Sequence, residues 1–377
     1  MNASRPLASV VISSYNYGRF LDEAIESALG QTYSPSEVVV VDDGSTDESI
    51  EVIDGFGDRI VAVLKPNGGQ GSALNAGFAR SRGEVVVLLD ADDVLLPSAL
   101  ERAVEALRDG GAVKVHWPMW VVDERRRRTG ELVEPQPLEG DFREVVAREG
   151  PMTETTLESA PTSGNAWTRS FLDRILPMPE RLYRIMADDY LYGLAPAFGP
   201  IVAVPEPQSL YRQHGDNAMG RLSFEERLSH GVRDHEQQSL LLSELYAERG
   251  VEADPAAWKA NGWWPRIERS IRELEAIVPV DASFVLVDQD DWGTDRLVAG
   301  RRRIPFVERG GEYWGLPESE GAAIDELERQ RVAGARFAAF AWSAFWMLAD
   351  YPAFGEHVRS YPCVLENERL RAFALVR

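Results

Sequence analysis

The chain has 377 residues, 44 % of them hydrophobic and 27 % charged, a globular composition that excludes wholesale disorder and, at roughly 100–200 residues per domain, predicts two or three domains. Lys+Arg number 40 against 61 Asp+Glu, a formal charge of -21, which argues against gripping nucleic-acid phosphates or an anionic membrane surface. One cysteine, Cys363, excludes an intrachain disulfide and a cysteine-based zinc cluster.

Ala8–Ser13 is a β-branched run that predicts a buried strand. Phe20, Leu21, Ala24, Ile25, Ala28 and Leu29 recur at helical spacing. Glu37–Val41 is a second strand, stopped by the turn cluster Asp42-Asp43-Gly44-Ser45. Ile60–Leu64 is a third, followed by the loop Gly68–Gly71 and a helix through Ala73, Leu74, Ala76 and Phe78. Glu84–Leu89 is a fourth, ending in Asp90-Ala91-Asp92-Asp93, and Pro97 suits the start of another helix. This alternation predicts a parallel sheet with helices on both faces. Ligands bind such sheets at the carboxyl ends of the strands. Ser13–Tyr15, Asp42–Asp43 and Asp90–Asp93 should therefore converge.

The middle is less regular. Arg125–Arg128 reads as a solvated turn tip, and residues from about 135 to 161 as loop and short helix. Ala187–Leu191 opens a helix, and Tyr211-Arg212-Gln213-His214 follows an apolar strand at Ile201–Val204. Residues 223–276 are mostly helical. A second α/β pattern begins with the strand Phe284–Val287 and its Asp288–Asp291 cluster, read as a solvated strand end. It continues through a charged helix at 318–333, a strand at Phe337–Ala341, a helix at Ala344–Ala349 and a terminal hairpin. The first residues lack the apolar core of a signal peptide. The run Phe337–Ala349, about 13 residues, is short of the roughly 20 a spanning helix needs. A cytoplasmic protein without stable membrane insertion is expected.

The chemistry sits in a few acids. Asp90 and Asp92, two apart at a strand end, are costly without a cation or donors. A divalent ion held by one or two carboxylates plus substrate phosphates is one solution; a helix-capping cluster is the other reading. Asp42-Asp43 either accepts from a ribose or base edge or caps a turn. Asp188-Asp189 either caps its helix or offers a general base. His214, behind Arg212 and near Asp216 and Asn217, is either structural or a phosphate or metal partner. Gly68-Gly69-Gln70-Gly71 is not a dinucleotide fingerprint, because Leu74 stands where the third glycine belongs.

Taken in order, Val10–Asn16, Gln31-Thr32-Tyr33, Val41–Asp47, Asn67-Gly68-Gly69, Asn75-Ala76-Gly77 and Asp90–Asp93 resemble the catalytic domain of family 2 glycosyltransferases, over roughly residues 7–220. The resemblance implies the α/β GT-A fold, a mixed, mostly parallel sheet between helices. Domains are then expected at 1–220 (catalytic), 221–276 (helical linker) and 277–377 (a smaller C-terminal α/β domain). It also implies inverting transfer of a sugar from a nucleotide-diphosphate sugar, UDP-sugar favoured, to an acceptor hydroxyl. Carried over by position, Ser13 and Tyr15 line the nucleoside pocket and Asp43 accepts from the base edge. Asn75 and Arg212 contact the donor. Asp90 binds the ribose or assists the metal, and Asp92 coordinates Mn2+ or Mg2+, with His214 as a further metal contact. Asp188-Asp189 stands where the family shows Glu-Asp, which makes Asp189 the base and Asp188 its neighbour. Leu74 departs from the pattern, since a basic residue often precedes the Asn.

The acceptor is left open among a saccharide, a small metabolite and a lipid-linked glycan. Around Tyr313–Pro317 the C-terminal part resembles a module appended to such transferases, with no assigned activity. Trp263, Trp264, Trp292, Trp314 and Trp342 suit sugar stacking, core packing or a homodimer interface. Two alternatives stay open: a nucleotidyltransferase, although Ser13-Ser14-Tyr15-Asn16 stands in place of its basic glycine loop, and a catalytically silent nucleotide- or glycan-binding protein on the same fold.

Overall fold

A computed structural model describes residues 5–108, 111–134, 136–156, 159–215, 217, 222–293 and 297–376; Asp216, noted beside His214, lies outside them. The chain divides into two compact units, Met1–Arg221 with Arg233–Trp263, and Leu222–Val232 with Trp264–Arg377.

In the first unit β1 (Ala8–Ser14), α1 (Gly18–Leu29), β2 (Ser36–Asp42), α2 (Ser49–Phe56), β3 (Val61–Leu64), α3 (Gln70–Arg80) and β4 (Val85–Asp90) alternate. There follow β5 (Val94–Leu95), α4 (Ala99–Leu107), β6 (Lys114–His116), β7 (Met119–Val122), β8 (Arg128–Val133) and α5 (Arg143–Glu149). Next come β9 (Asn165–Thr168), α6 (Arg169–Ile175), α7 (Ala187–Leu194), β10 (Ile201–Ala203) and β11 (Ser209–Arg212). The helices α8 (Phe224–Glu248), α9 (Pro255–Asn261) and α10 (Trp263–Ile277) occupy the stretch expected to be helical. Residues of α8 and α10 fall in both units.

Seven strands form the main sheet in the order β10-β6-β9-β4-β1-β2-β3. β4, β1, β2 and β3 run parallel, whereas β9 is antiparallel to both β4 and β6. This is the mixed, mostly parallel α/β architecture of the GT-A fold. Alternation explains the continuous apolar runs. Val10, Ile12, Val38, Val40, Val85, Val87 and Leu89 pack with α1, α2 and α4 on one face. Val11, Val39, Val41, Val86 and Leu88 pack with α3, α6 and α7 on the other. A four-stranded sheet, β5-β11-β7-β8, stands apart from the main one. The basic run 125–128 is a turn tip as expected, tightened by Asp123 Oδ1, which accepts from the Arg125 and Arg127 amides at 2.9 Å each.

The second unit holds β12 (Ser283–Val287), β13 (Leu297–Val298), β14 (Arg301–Pro305), β15 (Glu308–Arg309), β16 (Glu312–Tyr313) and α11 (Glu320–Val332). It ends with β17 (Ala335–Ala341), α12 (Phe345–Asp350), α13 (Pro352–Arg359), β18 (Cys363–Glu366) and β19 (Leu370–Ala374). Its sheet runs β13-β14-β12-β17-β19-β18, with β12 parallel to both β14 and β17 and the terminal hairpin antiparallel. Val285, Leu327, Phe340 and Phe354 centre its core. No helix among the described residues is long and apolar enough to cross a membrane.

Candidate active site

The strand ends are aligned by register. Ser13 lies opposite Asp90 and Ser14 opposite Asp42, so the ends of β4, β1 and β2 come level. Asn16 takes a left-handed backbone (φ 57) between β1 and α1, which Asn tolerates better than most residues. Its Oδ1 accepts from the Thr46 amide at 2.8 Å, and its own amide donates to Ser45 Oγ at 2.9 Å. Asp47 accepts from the Gly18 amide at 2.9 Å. The loops after β1 and β2 are thereby tied together, with Ser13 half-buried behind them and Tyr15 at 46 % exposure upon them.

Asp42 and Asp43 are both buried, in different ways. Asp42 Oδ2 accepts from the Gly44 and Ser45 amides, the local turn expected of such a cluster. Asp43 reaches across to the loop after β3. It accepts from Lys65 Nζ at 2.6 Å, from the Gly68 amide at 2.9 Å and from the Gly69 amide at 2.7 Å. Asp43 thus organises the glycine loop. Gly69 has φ +92, and a Cβ there would lie 2.6 Å from Arg184 Cα, so this close approach admits only glycine.

The turn after β4 concentrates acid. Burial, with Asp92 and Asp188 nearby, pushes the Asp90 carboxyl up to about 8. Burial, with Asp92 and Asp90 nearby, raises Asp93 well above the ordinary carboxylate range. Asp92 Oδ2 meets His214 Nε2 at 3.0 Å and accepts from Asn217 Nδ2 at 3.4 Å. Among the described residues no lysine or arginine side chain pairs with Asp90, Asp92 or Asp93. Arg212, the obvious cation, is buried at 1 % exposure and turned elsewhere. It donates to Asp92 O at 2.7 Å, Glu124 O at 2.8 Å and Glu23 Oε2 at 2.6 Å, over the Phe20 ring. Its amide donates to Asp93 Oδ1 at 2.9 Å. Arg212 therefore braces the acid turn, and its expected contact with the donor stays a proposal.

Asp188 and Asp189 occupy the first turn of α7, where carboxylates complement the helix dipole. Met186, just before it, is left-handed (φ 55), a strained choice for a residue that is not glycine. Asp188 Oδ2 accepts from Thr162 Oγ1 at 2.9 Å and Tyr192 OH at 2.6 Å. Burial, then Asp188 and Asp234, raise Asp189 well above the ordinary range. One residue joins the two acid groups. Gln70, at the start of α3, accepts from the Ala187 amide at 3.0 Å and points Nε2 at Asp90 Oδ1 at 3.5 Å.

Asn75 clamps a loop. Its Oδ1 accepts from the Met178 amide at 2.9 Å and its Nδ2 donates to Met178 O at 3.0 Å and to Glu180 Oε1 at 3.4 Å. Its expected contact with the donor stays a proposal. Lys65 and Gln70 are site residues that sequence reasoning passed over. Both follow β3 by a few residues and so stand at a strand end, the one signal that could have found them.

Among the described residues no three His, Cys, Asp or Glu side chains are grouped to hold a metal ion by themselves. The chemistry of the donor set still fits a hard divalent cation. Crowded carboxylates without a lysine or arginine partner among the described residues, and an imidazole on one of them, suit an ion whose remaining ligands are phosphate oxygens and water.

Residues 9–171 match Glycosyl transferase family 2. An uncharacterized glycosyltransferase of Nostoc sp. is 39 % identical over 214 residues, covering 55 % of this chain and 65 % of that protein. An uncharacterized glycosyltransferase of Rickettsia prowazekii is 39 % identical over 126 residues, covering 33 % and 40 %. The chain thus spans less than two thirds of either relative's length. Residues 1–349 of TarS from S. aureus, solved in complex with UDP, superpose with a TM-score of 0.47 at 15 % identity, covering 96 % of this chain and 95 % of that one.

Proposed function

From the premise that residues 9–171 are a glycosyl transferase family 2 domain, we propose that the chain is an inverting glycosyltransferase. It moves a sugar from a nucleotide-diphosphate sugar, a UDP-sugar by preference, to an acceptor hydroxyl. The observation that carries this reading is the turn Asp90–Asp93, three acids level with the ends of β1 and β2 and without a lysine or arginine partner among the described residues.

Ser13, Tyr15 and Asp43 receive the nucleoside, with Asp43 on the base edge. Asp92 and Asp90 would hold Mn2+ or Mg2+ with His214 alongside, and the bound ion supplies Lewis-acid stabilisation to the departing diphosphate. Asp189 takes the proton of the acceptor hydroxyl. Its raised proton affinity suits that role, since a general base works best with a pKa near the operating pH, and such catalysis contributes about 10²–10⁴-fold. Asp188, fixed by Thr162 and Tyr192, keeps a like charge beside it. Attack opposite the diphosphate inverts the anomeric carbon. The acceptor is a saccharide, a small metabolite or a lipid-linked glycan, and a cytoplasmic setting belongs to the same reading.

The test is thermal stability against UDP, GDP, dTDP and CDP, each with and without Mn2+. A ligand at about 100 times its Kd adds roughly 2.7 kcal/mol. A metal-dependent shift with one nucleotide supports the reading and selects the donors for turnover assays. No shift with any of them, in folded protein, overturns it in favour of a silent member of the fold.

A further inference from the structure

Helix α8 lies beyond the family-matched residues, and part of it, from Arg233 onward, belongs to the first unit. One face of that part reads Asp234, Gln238, Leu242 and Tyr246, four residues apart and all buried. Leu242 and Tyr246 join the apolar core beneath α7. One turn earlier the same stripe becomes polar, where burial is expensive. An apolar pair there would pack as well, so the polar pair needs a reason.

The hydrogen bonds supply one. Gln238 Nε2 donates to the backbone carbonyl of Asp189 at 3.0 Å and to Asp234 Oδ2 at 2.8 Å. The Asp189 carbonyl only accepts, which dictates the amide's orientation and leaves Gln238 Oε1 without a partner. Asp234 Oδ1 accepts from the Tyr183 hydroxyl. Tyr183 is anchored in turn, since its carbonyl accepts from the Gly71 amide at 2.8 Å at the head of α3. Room for the glutamine comes from Gly193, where a Cβ would stand 1.8 Å from Gln238 Oε1. The clamp grips both ends of the short segment that contains strained Met186 and delivers Asp188 and Asp189.

We propose that Asp234 and Gln238 are positioning residues for Asp189: they fix the first turn of α7 against α8 so that the Asp189 carboxylate meets the acceptor hydroxyl. The inference rests on Asp189 being the base. Neither residue touches substrate. Burial also pushes the Asp234 carboxyl up to about 7, so a second, reluctantly ionised acid stands behind the first.

The test uses the full chain and apolar replacements, Gln238→Leu and Asp234→Leu, with Leu242→Ala as a packing control on the same helix face. Nucleoside diphosphate release is followed from the donor selected above. The two polar-site variants each strand a buried partner and so should lose some Tm; they should keep the donor KM within about twofold yet lose about tenfold or more in kcat. Leu242→Ala should lose Tm to a similar or greater extent while retaining kcat. On an Asp189→Asn background, Gln238→Leu should cost nothing further, because the carboxylate it positions is gone. Unchanged kcat in Gln238→Leu, or a full further loss on the Asp189→Asn background, overturns the proposal and leaves the base assignment standing. Undiminished turnover in Asp189→Asn instead sinks the base assignment. Amide exchange over residues 183–192 decides the clamp without any turnover: Gln238→Leu should speed it severalfold, and an unchanged rate rejects the clamp.

Discussion

Both units end a parallel strand in a run of aspartates, and the two runs are treated in opposite ways. After β12, Asp288 is buried and takes Arg303 Nη2 at 3.2 Å on each carboxylate oxygen, and Asp290 accepts from the same nitrogen at 3.2 Å. Asp288 also accepts from the Asp290 and Trp292 amides, so the cluster is a closed ion pair folded around its own turn. It is not the solvated strand end that the sequence suggests. After β4, Arg212 gives its guanidinium to carbonyls and to Glu23, leaving the acids, among the described residues, to one imidazole and a few hydroxyl and amide groups. Burial raises both leading acids, Asp288 to about 6 and Asp90 to about 8, and the arginine at Asp288 holds its rise down. An acid that the fold neutralises is part of the fold. On the proposed reading, one that the fold buries without a lysine or arginine is left for the metal ion.

Three measurements would break or sharpen this contrast. The largest effect is expected from Asp92→Asn in the first unit: turnover should fall roughly 10³-fold, the several kcal/mol that diphosphate charge stabilisation is worth, with Tm nearly unchanged. A loss of Tm to match would place that turn with the structural one. Next comes Arg303→Leu in the second unit, which strands the buried Asp288 and should cost about 3–5 kcal/mol on denaturant unfolding. The nucleotide-dependent shift should survive in the folded fraction. Smallest is Asp90→Asn. In the folded chain Asp90 holds its proton up to about 8, against about 3.8 unfolded, so its ionisation erodes stability as pH rises through that window. Near pH 5 without metal, about one unit into that window, the variant should therefore gain about 2 kcal/mol over the parent, or roughly 4–8 °C, and at pH 3 almost nothing. Equal Tm profiles for parent and variant across that range would remove Asp90 from the uncompensated acids.

The strands β1 to β4 were legible because each is covered on both faces, which writes them as unbroken apolar runs. The strands β5 to β9 and β11 have two to six residues each and share a chain stretch rich in polar groups, so periodicity had too little to act on, and only the apolar β10 stood out. Within the site, Asp90–Asp93 and Asp188-Asp189 stood out because charge at a strand end or helix start is conspicuous in one dimension. The bonds that Asn75 and Arg212 make within the fold were hidden for the complementary reason. Their partners, Met178 and the Asp92 carbonyl, lie 103 and 120 residues away, and only folding brings each pair together. Gln238 and Asp234 were invisible, being ordinary polar residues on a helix until that face proves to be inside.

The antiparallel strand β9 has a consequence for how the protein is made. It sits between β4 and β6, yet is encoded about 75 residues after β4 ends. At roughly 5–20 residues per second a ribosome needs about 4–15 s to bridge that gap. For that interval β4 offers a bare hydrogen-bonding edge with apolar side chains on both faces, the feature that invites pairing with another chain. The most hazardous moment in the life of this sheet thus falls before the protein is complete, and crowding among nascent copies on one message would make it worse.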